Sequence, residues 1–232
     1  MSERFFLPAT PRDGRAVLDG DEARHLVRVL RGQVGDAVRV FDGRGGEWFA
    51  RVTLVGRDRV ELAIERSVEP RPAAAGARVT LAVALPKGER QKWLVEKLTE
   101  LGVERLVPLV TSRGVAEATA AARTRLERGV IEACKQCGRT TLMEIAAPLS
   151  IGELAAATPG AVRLLADPAA APARGWPAAT GEIIAAVGPE GGFTSDEAAA
   201  AVQQGFVPVS LGPHILRVET AAVALASKLK AW

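Results

Sequence analysis

Two glycine- and proline-rich turns near the C-terminus most restrict what this chain can fold into. They are Gly188-Pro189-Glu190-Gly191-Gly192-Phe193 and Leu211-Gly212-Pro213-His214-Ile215-Leu216-Arg217. Each follows a short apolar run that reads as a buried strand, Glu182–Val187 and Phe206–Leu211. Each opens onto a helix-like stretch, from Ser195 and from Arg217. The turns lie about one βαβ unit apart. The pattern predicts two neighbouring parallel strands with both loops at their C-terminal ends, where an α/β sheet holds a ligand. A glycine there lets the backbone approach the ligand and take φ > 0.

The preceding residues continue the alternation. Val79–Leu85 reads as a strand. Glu89–Leu101 reads as an amphipathic helix with Trp93, Leu94, Leu98 and Leu101 apolar, stopped by Gly102. A strand over Val103–Val110, a helix over Ala121–Gln136 and strands near Leu142–Ala146 and Val162–Ala166 complete a parallel α/β domain. Before it, Ser67–Ala77 is a Pro/Ala/Gly linker without periodicity. The N-terminal part reads as short strands: Ala37–Phe41, a hairpin signal at Asp42-Gly43-Arg44-Gly45-Gly46, then Glu47–Val55 and Arg59–Glu65 with period two. One short helix, Gly20–Leu30, precedes them with Asp21 near its start. This describes a small β-barrel, residues 1–70, ahead of an α/β domain over 76–232.

No apolar run approaches the ~18 residues of a membrane span, and the N-terminus lacks the basic-then-apolar shape of a signal peptide, so a cytoplasmic protein is expected. The net charge of +3 is mild, but arginine clusters in the first third, which permits a phosphate-binding face. Cys134 and Cys137 form a C-x-x-C pair on one face of the third predicted helix. The two histidines, His25 and His214, are distant in sequence, so the pair reads as structural and no metal is expected.

The usual phosphate motifs are absent: there is no G-x-x-x-x-G-K-[ST], and no G-x-G-x-x-G after the first strand of the α/β domain. The two loops offer backbone amides and carbonyls, the Glu190 carboxylate, and apolar contacts from Leu211, Ile215 and Leu216. That inventory suits an adenine-and-ribose ligand with a compact charged tail better than a polyphosphate, which would call for more cations.

The two loops, with the continuation Val218-Glu219-Thr220-Ala221, resemble the signatures of the SPOUT methyltransferases that modify 16S ribosomal RNA at N3 of a uridine. Lys87-Gly88-Glu89-Arg90 followed by Leu94–Val103 resembles that family's first helix, and Glu132–Arg139 its middle segment. Arg24–Arg31 and Gly35-Asp36 resemble its N-terminal RNA-binding barrel. The similarity runs through nearly the whole chain in the right order.

The resemblance implies a PUA-like barrel, a SPOUT parallel sheet ending in a deep trefoil knot, a homodimer, and S-adenosylmethionine as methyl donor. Cofactor-binding residues would be Gly188, Glu190, Gly191 and Gly192 on one wall and Leu211, Gly212, Ile215, Leu216 and Arg217 on the other. Arg217 and Glu190 are the catalytic candidates: Arg217 to oppose a uridine anion or hold a phosphate, Glu190 to accept a proton or a ribose hydroxyl. Glu219 and Thr220 read as helix caps. RNA contacts would come from Arg4, Arg24, Arg28, Arg31, Lys87, Arg113 and Arg139. Two positions depart from the family pattern: His214 stands where Arg or Lys is common, and Arg113-Gly114 stands in place of Arg-Ser. The alternatives are a SPOUT enzyme with another rRNA or tRNA target, and a non-enzymatic RNA-binding protein; the intact loop glycines argue against the latter.

Overall fold

The computed structural model describes residues 3–69, 76–115, 119–170, 176 and 180–230. Most of the predicted linker, 70–75, lies outside the described residues. The chain divides into two compact units. One comprises Met1–Ala73 with Cys134–Leu142, the other Ala74–Ala133 with Met143–Trp232.

The first unit is a curled five-stranded sheet in the order β1-β3-β4-β5-β2. Its strands are β1 (Arg4–Phe6), β2 (Arg15–Asp19), β3 (Ala37–Phe41), β4 (Glu47–Val55) and β5 (Arg59–Ser67). Pairing is antiparallel except for β1 beside β3. Register shifts at Phe49/Ala50 and Val52/Leu54 curl the β4–β5 ribbon. Alternation places Phe5, Leu18, Val38, Val40, Ala50, Val52, Val60 and Leu62 on the core face. The β3–β4 hairpin forms where its turn signal lies. Buried Asp42 accepts hydrogen bonds from the backbone N–H groups of Arg44 and Gly46, at 2.9 and 3.0 Å, and from the Thr10 hydroxyl.

The predicted Gly20–Leu30 helix begins as α1 (Gly20–Arg24) and widens to a π-helical turn over His25–Val29, closed by Leu30 N–H donating to the His25 carbonyl. The Cys134–Leu142 segment is held by this unit. Arg4 donates to the carbonyls of Cys134, Lys135 and Arg139. Lys135 pairs with Glu22 at 3.1 Å, and Gly45 N–H reaches the Thr140 carbonyl. A side chain at Gly43 would strike Leu142, which seats there.

The second unit is a six-stranded, all-parallel sheet in the order β11-β9-β10-β6-β7-β8. The strands are β6 (Arg78–Val83), β7 (Arg105–Pro108), β8 (Glu144–Ile145), β9 (Val162–Ala166), β10 (Glu182–Val187) and β11 (Val207–Val209). The helices are α2 (Glu89–Glu100), α3 (Ala120–Cys137, to Ala133 in this unit), α4 (Ile151–Ala157), α5 (Ser195–Gln203) and α6 (Val218–Leu229). The central strands read as near-continuous apolar runs because both faces of a parallel sheet are covered. Helix α6 packs on α2, β6 and β10. None of the helices among the described residues is long and apolar enough to cross a membrane.

Two expectations are corrected. β10 and β11, expected as neighbours, are separated by β9. Helix α4 lies between two expected strands. It is started by a capping box in which Ser150 and Glu153 each bond the other's backbone N–H. The α6 residues Ala221, Ala222, Leu225, Ala226 and Leu229 are buried within the chain itself.

Candidate active site

The site follows from the strand order. The chain leaves β6 toward β7 on one side and leaves β10 toward β11 on the other, so the C-terminal ends of the adjacent strands β6 and β10 form a topological switch point. Four loops converge on this edge: 84–88 after β6, 109–115 after β7, 188–194 after β10 and 210–217 after β11.

Side chains tie the loops together. Arg90, in the first turn of α2, donates through Nη2 to Glu190 Oε1 at 2.9 Å and places Nη1 3.7 Å from Glu219 Oε2 at the start of α6. Arg113 donates to the Gly191 carbonyl at 2.6 Å. The Ser112 N–H donates to Glu197 Oε1 at 2.7 Å, and Glu197 also completes the capping box of α5 with Thr194. Burial pushes the Glu197 carboxyl up, but the hydrogen bonds from Ser112 and Thr194 outweigh it and hold the group below its ordinary value.

The glycines play different parts. A Cβ at Gly188 would come within 3.0 Å of the Phe193 ring, so this glycine seats Phe193. Gly212 adopts φ +139°, a region closed to other residues, and a Cβ there would meet nothing within 4 Å. Gly192 is likewise open. The backbone at these two turns therefore faces free space.

Glu219 is 7% exposed, and its Oε2 has no hydrogen-bond partner among the described residues. Thr111 Oγ1 is a second buried oxygen without a partner. Buried acceptors are normally matched, so these two atoms suit a ligand bearing N–H or O–H groups.

Of the residues expected at the site, Lys87, Arg113, Glu190, Gly191 and Gly192 lie on these loops, as do Leu211, Gly212, Leu216 and Arg217. Arg217 is exposed at the N-cap of α6 with extended backbone angles and makes no capping side-chain bond. Ile215 is 86% exposed, and His214 is exposed beside it. Arg90, in the Lys87-Gly88-Glu89-Arg90 segment that resembles the family's first helix, carries no cofactor or catalytic expectation from the sequence and is at most a candidate RNA contact. Glu219, read as a helix cap, is instead a buried carboxylate facing Arg90.

In the first unit, Arg28 and Arg31 are exposed, while Arg24 pairs with Asp21 and lies 4.0 Å from Asp58. Arg4 is corrected. Its side chain is 9% exposed, pairs with Glu47 at 2.9 Å, lies over Phe41 and binds three carbonyls, so it is committed inside the unit and removed from RNA contact. Arg139 belongs to the same unit: its Nε faces Thr141 Oγ1 at 3.4 Å. Cys134 and Cys137 are free thiols near the end of α3, the first buried. Burial pushes the Cys134 thiol up to about 12, against the opposing pull of Arg139 and Arg4.

Residues 74–230 match the family described as RNA methyltransferase domain, and residues 18–65 match the RNA methyltransferase PUA domain. The chain is 37% identical over 216 residues to the ribosomal RNA small subunit methyltransferase E of Synechocystis sp., covering 88% of this chain and 69% of that protein. It is 34% identical over 236 residues to the protein of the same name in Mycobacterium tuberculosis, covering 94% and 87%. A methyltransferase from Legionella pneumophila, solved in complex with the cofactor SAM, superposes with a TM-score of 0.93 at 30% identity, covering 100% of this chain and 98% of that one. The ribosomal RNA small subunit methyltransferase E from Neisseria gonorrhoeae, bound to S-adenosyl methionine, does so with a TM-score of 0.89 at 31% identity, covering 98% and 96%.

Proposed function

Because the chain belongs to the family of ribosomal RNA small subunit methyltransferases E, we propose that it methylates N3 of one uridine in 16S ribosomal RNA with S-adenosylmethionine as donor. The observation that carries this reading is the ring of loops around the β6/β10 switch point, with two buried oxygens that lack hydrogen bonds among the described residues and its open glycine turns. S-adenosylmethionine fits that donor set: its amino and hydroxyl groups can satisfy such acceptors, and its sulfonium supplies an electrophilic methyl group.

The walls of the cofactor site are Gly188 to Gly192 and Leu211 to Arg217, with Arg90 fixing the first wall to α6 through Glu190 and Glu219. The chain's task at the substrate is to provide a deprotonated N3, because the neutral N3–H has no free lone pair. Arg217, exposed at the start of α6, opposes the developing anion or holds the adjacent phosphate. Glu190, held in place by Arg90, accepts a proton or a ribose hydroxyl. Residues 1–70 form the PUA-like part that contributes RNA affinity through Arg24, Arg28 and Arg31, and 76–232 the methyltransferase domain with Lys87 and Arg113 at the RNA side of the site. Arg139, carried by the first unit, adds to the former.

The return of the chain from β11, at the sheet edge, to pack α6 on the central strands supports a trefoil knot in this region. The resemblance and the bare apolar side chain of Ile215 support a homodimer, and the resemblance to enzymes acting on ribosomal RNA supports a cytoplasmic location. The deciding experiment is nucleoside mass spectrometry of small-subunit rRNA from cells lacking the protein. Loss of 3-methyluridine is expected; an unchanged level refutes the target, and loss of a different methylated nucleoside reassigns it.

A further inference from the structure

The outer face of the first unit's sheet carries a row of side chains for which the reaction has no use. Strand register sets Arg39 of β3 opposite Phe49 of β4, and Phe49 opposite Arg66 of β5. Their neighbours Val38, Val40 and Ala50 are buried, so alternation turns the row away from the core. The Arg66 guanidinium carbon lies 3.9 Å from the centroid of the Phe49 ring and that of Arg39 lies 5.0 Å from it. Their backbones flank β4 and so stand roughly 9.5 Å apart. The ring draws both head groups inward and offsets their mutual repulsion.

Charge on this face is unbalanced. Arg66 is exposed and has no carboxylate partner among the described residues. Among the described residues the one carboxylate partner of Arg39 is Glu47 Oε1 at 3.5 Å, an oxygen that Arg4 already holds at 2.9 Å. Its Nε is buried and lacks a hydrogen bond. By contrast Arg24 is matched by Asp21, and Arg51 by Glu65 at 2.6 Å. A sheet face with two under-neutralised guanidiniums ordered on an aromatic ring has the makings of a nucleic-acid contact. The planar forks can bind phosphate oxygens in pairs, and their flat surfaces can stack on an unpaired base.

We propose that the Arg39–Phe49–Arg66 row is a contact for single-stranded RNA, separate from Arg24, Arg28 and Arg31. This rests on the reading of the chain as an RNA methyltransferase.

The test uses the full-length protein and a fluorescently labelled, single-stranded, uridine-rich RNA, titrated over a range of salt. Arg39→Gln with Arg66→Gln is expected to weaken binding at least tenfold and to make the log–log salt slope shallower by about 1.4, which is two phosphate contacts at about 0.7 each on a single strand. Arg66→Gln alone, on an exposed side chain, is expected to give half that change. Phe49→Leu, which removes the platform, is expected to cost about five- to a hundredfold with a smaller change of slope. S-adenosylmethionine affinity is expected to stay unchanged in all three, and Arg57→Gln, an exposed arginine in the β4–β5 turn, to bind RNA as the parent does. A normal slope in Arg39→Gln/Arg66→Gln, with loss of slope in Arg28→Ala/Arg31→Ala, overturns the proposal and leaves the RNA substrate standing. Equal affinity of the unaltered protein for poly-glutamate overturns it in favour of an acidic protein partner. If the unaltered protein binds no RNA at any salt, the underlying reading falls with it.

Discussion

Arg90 is the single side chain whose loss should disturb the site most, and the size of the effect can be worked from its two partners. The contact with Glu190 joins side chains 38% and 39% exposed, so it contributes under about 1 kcal/mol. The contact with Glu219 is different, because that carboxylate is buried and its Oε2 has no hydrogen bond. Removing the partner of a fully buried charge costs about 3–5 kcal/mol. Since Arg90 itself is partly solvated, about 1–3 kcal/mol is the fitting figure for Arg90→Gln. In a domain of this size that lowers Tm by roughly 3–10 °C. Glu219→Gln, added to Arg90→Gln, removes the stranded charge and should restore most of the loss. Affinity for S-adenosylmethionine should stay at least tenfold reduced in the double variant, since nothing then holds the Glu190 loop to α6. Thermal melts and calorimetric titration of the four proteins close the cycle. If the double variant loses as much stability as the two single variants summed, Arg90 and Glu219 are not coupled and the reasoning fails.

Gly212→Val places a branched residue at φ +139°, where strain costs about 1–3 kcal/mol, and puts a side chain into the open space of the second wall. Calorimetry should show cofactor binding abolished while the circular dichroism of the folded protein remains; unaltered affinity would remove Gly212 from the site. Cys134 titrates at about 12 when folded, above its ordinary 9.0, so the unfolded chain releases its proton first. Stability tied to this thiol is complete below pH 9 and declines toward pH 12, and Cys134→Ala should flatten that part of the parent's urea-midpoint profile relative to the unaltered protein. Light scattering at micromolar concentration should give the mass of a dimer, with Ile215→Glu shifting it toward monomer; a monomeric parent would sink the subunit pairing.

The glycine-bearing loops and most strands were legible because their signals are local. Period-two alternation marked β4 and β5, short apolar runs between turn residues marked β6, β9 and β10, and Gly102 ended α2. Helix α4 carried a readable signal as well, the Ser150-x-x-Glu153 capping box, but its seven residues are too few for helical periodicity to stand out. The order of the strands had no local signal. β9 enters between β10 and β11 because the chain crosses the sheet before β9, and periodicity is blind to such crossings. Arg90 and Glu219 were equally hidden. One lies at the start of the first helix of its unit and the other at the start of the last, and only the packing of α6 on α2 joins them.

The arginines show why position along the chain is a poor guide to role. Arg4 and Arg139 come from opposite ends of a long interval, yet Arg4 donates to the Arg139 carbonyl within one unit. Read in sequence, Arg4 is an exposed cation near an N-terminus. In the structure it neutralises Glu47, covers Phe41 and caps the carbonyls released at the end of α3, where Gly138 turns the chain at φ +82°. An arginine that satisfies helix-end carbonyls cannot also hold phosphate. Arg39 and Arg66 have the opposite history, since alternation predicts only that they face away from a core. Their distinction arises from β4 lying between them with a phenylalanine in register. On the proposed reading, what a cation can offer RNA depends on how much of its charge the fold has already consumed: Arg66 has no carboxylate partner among the described residues, whereas Arg4 is held by Glu47 and three carbonyls.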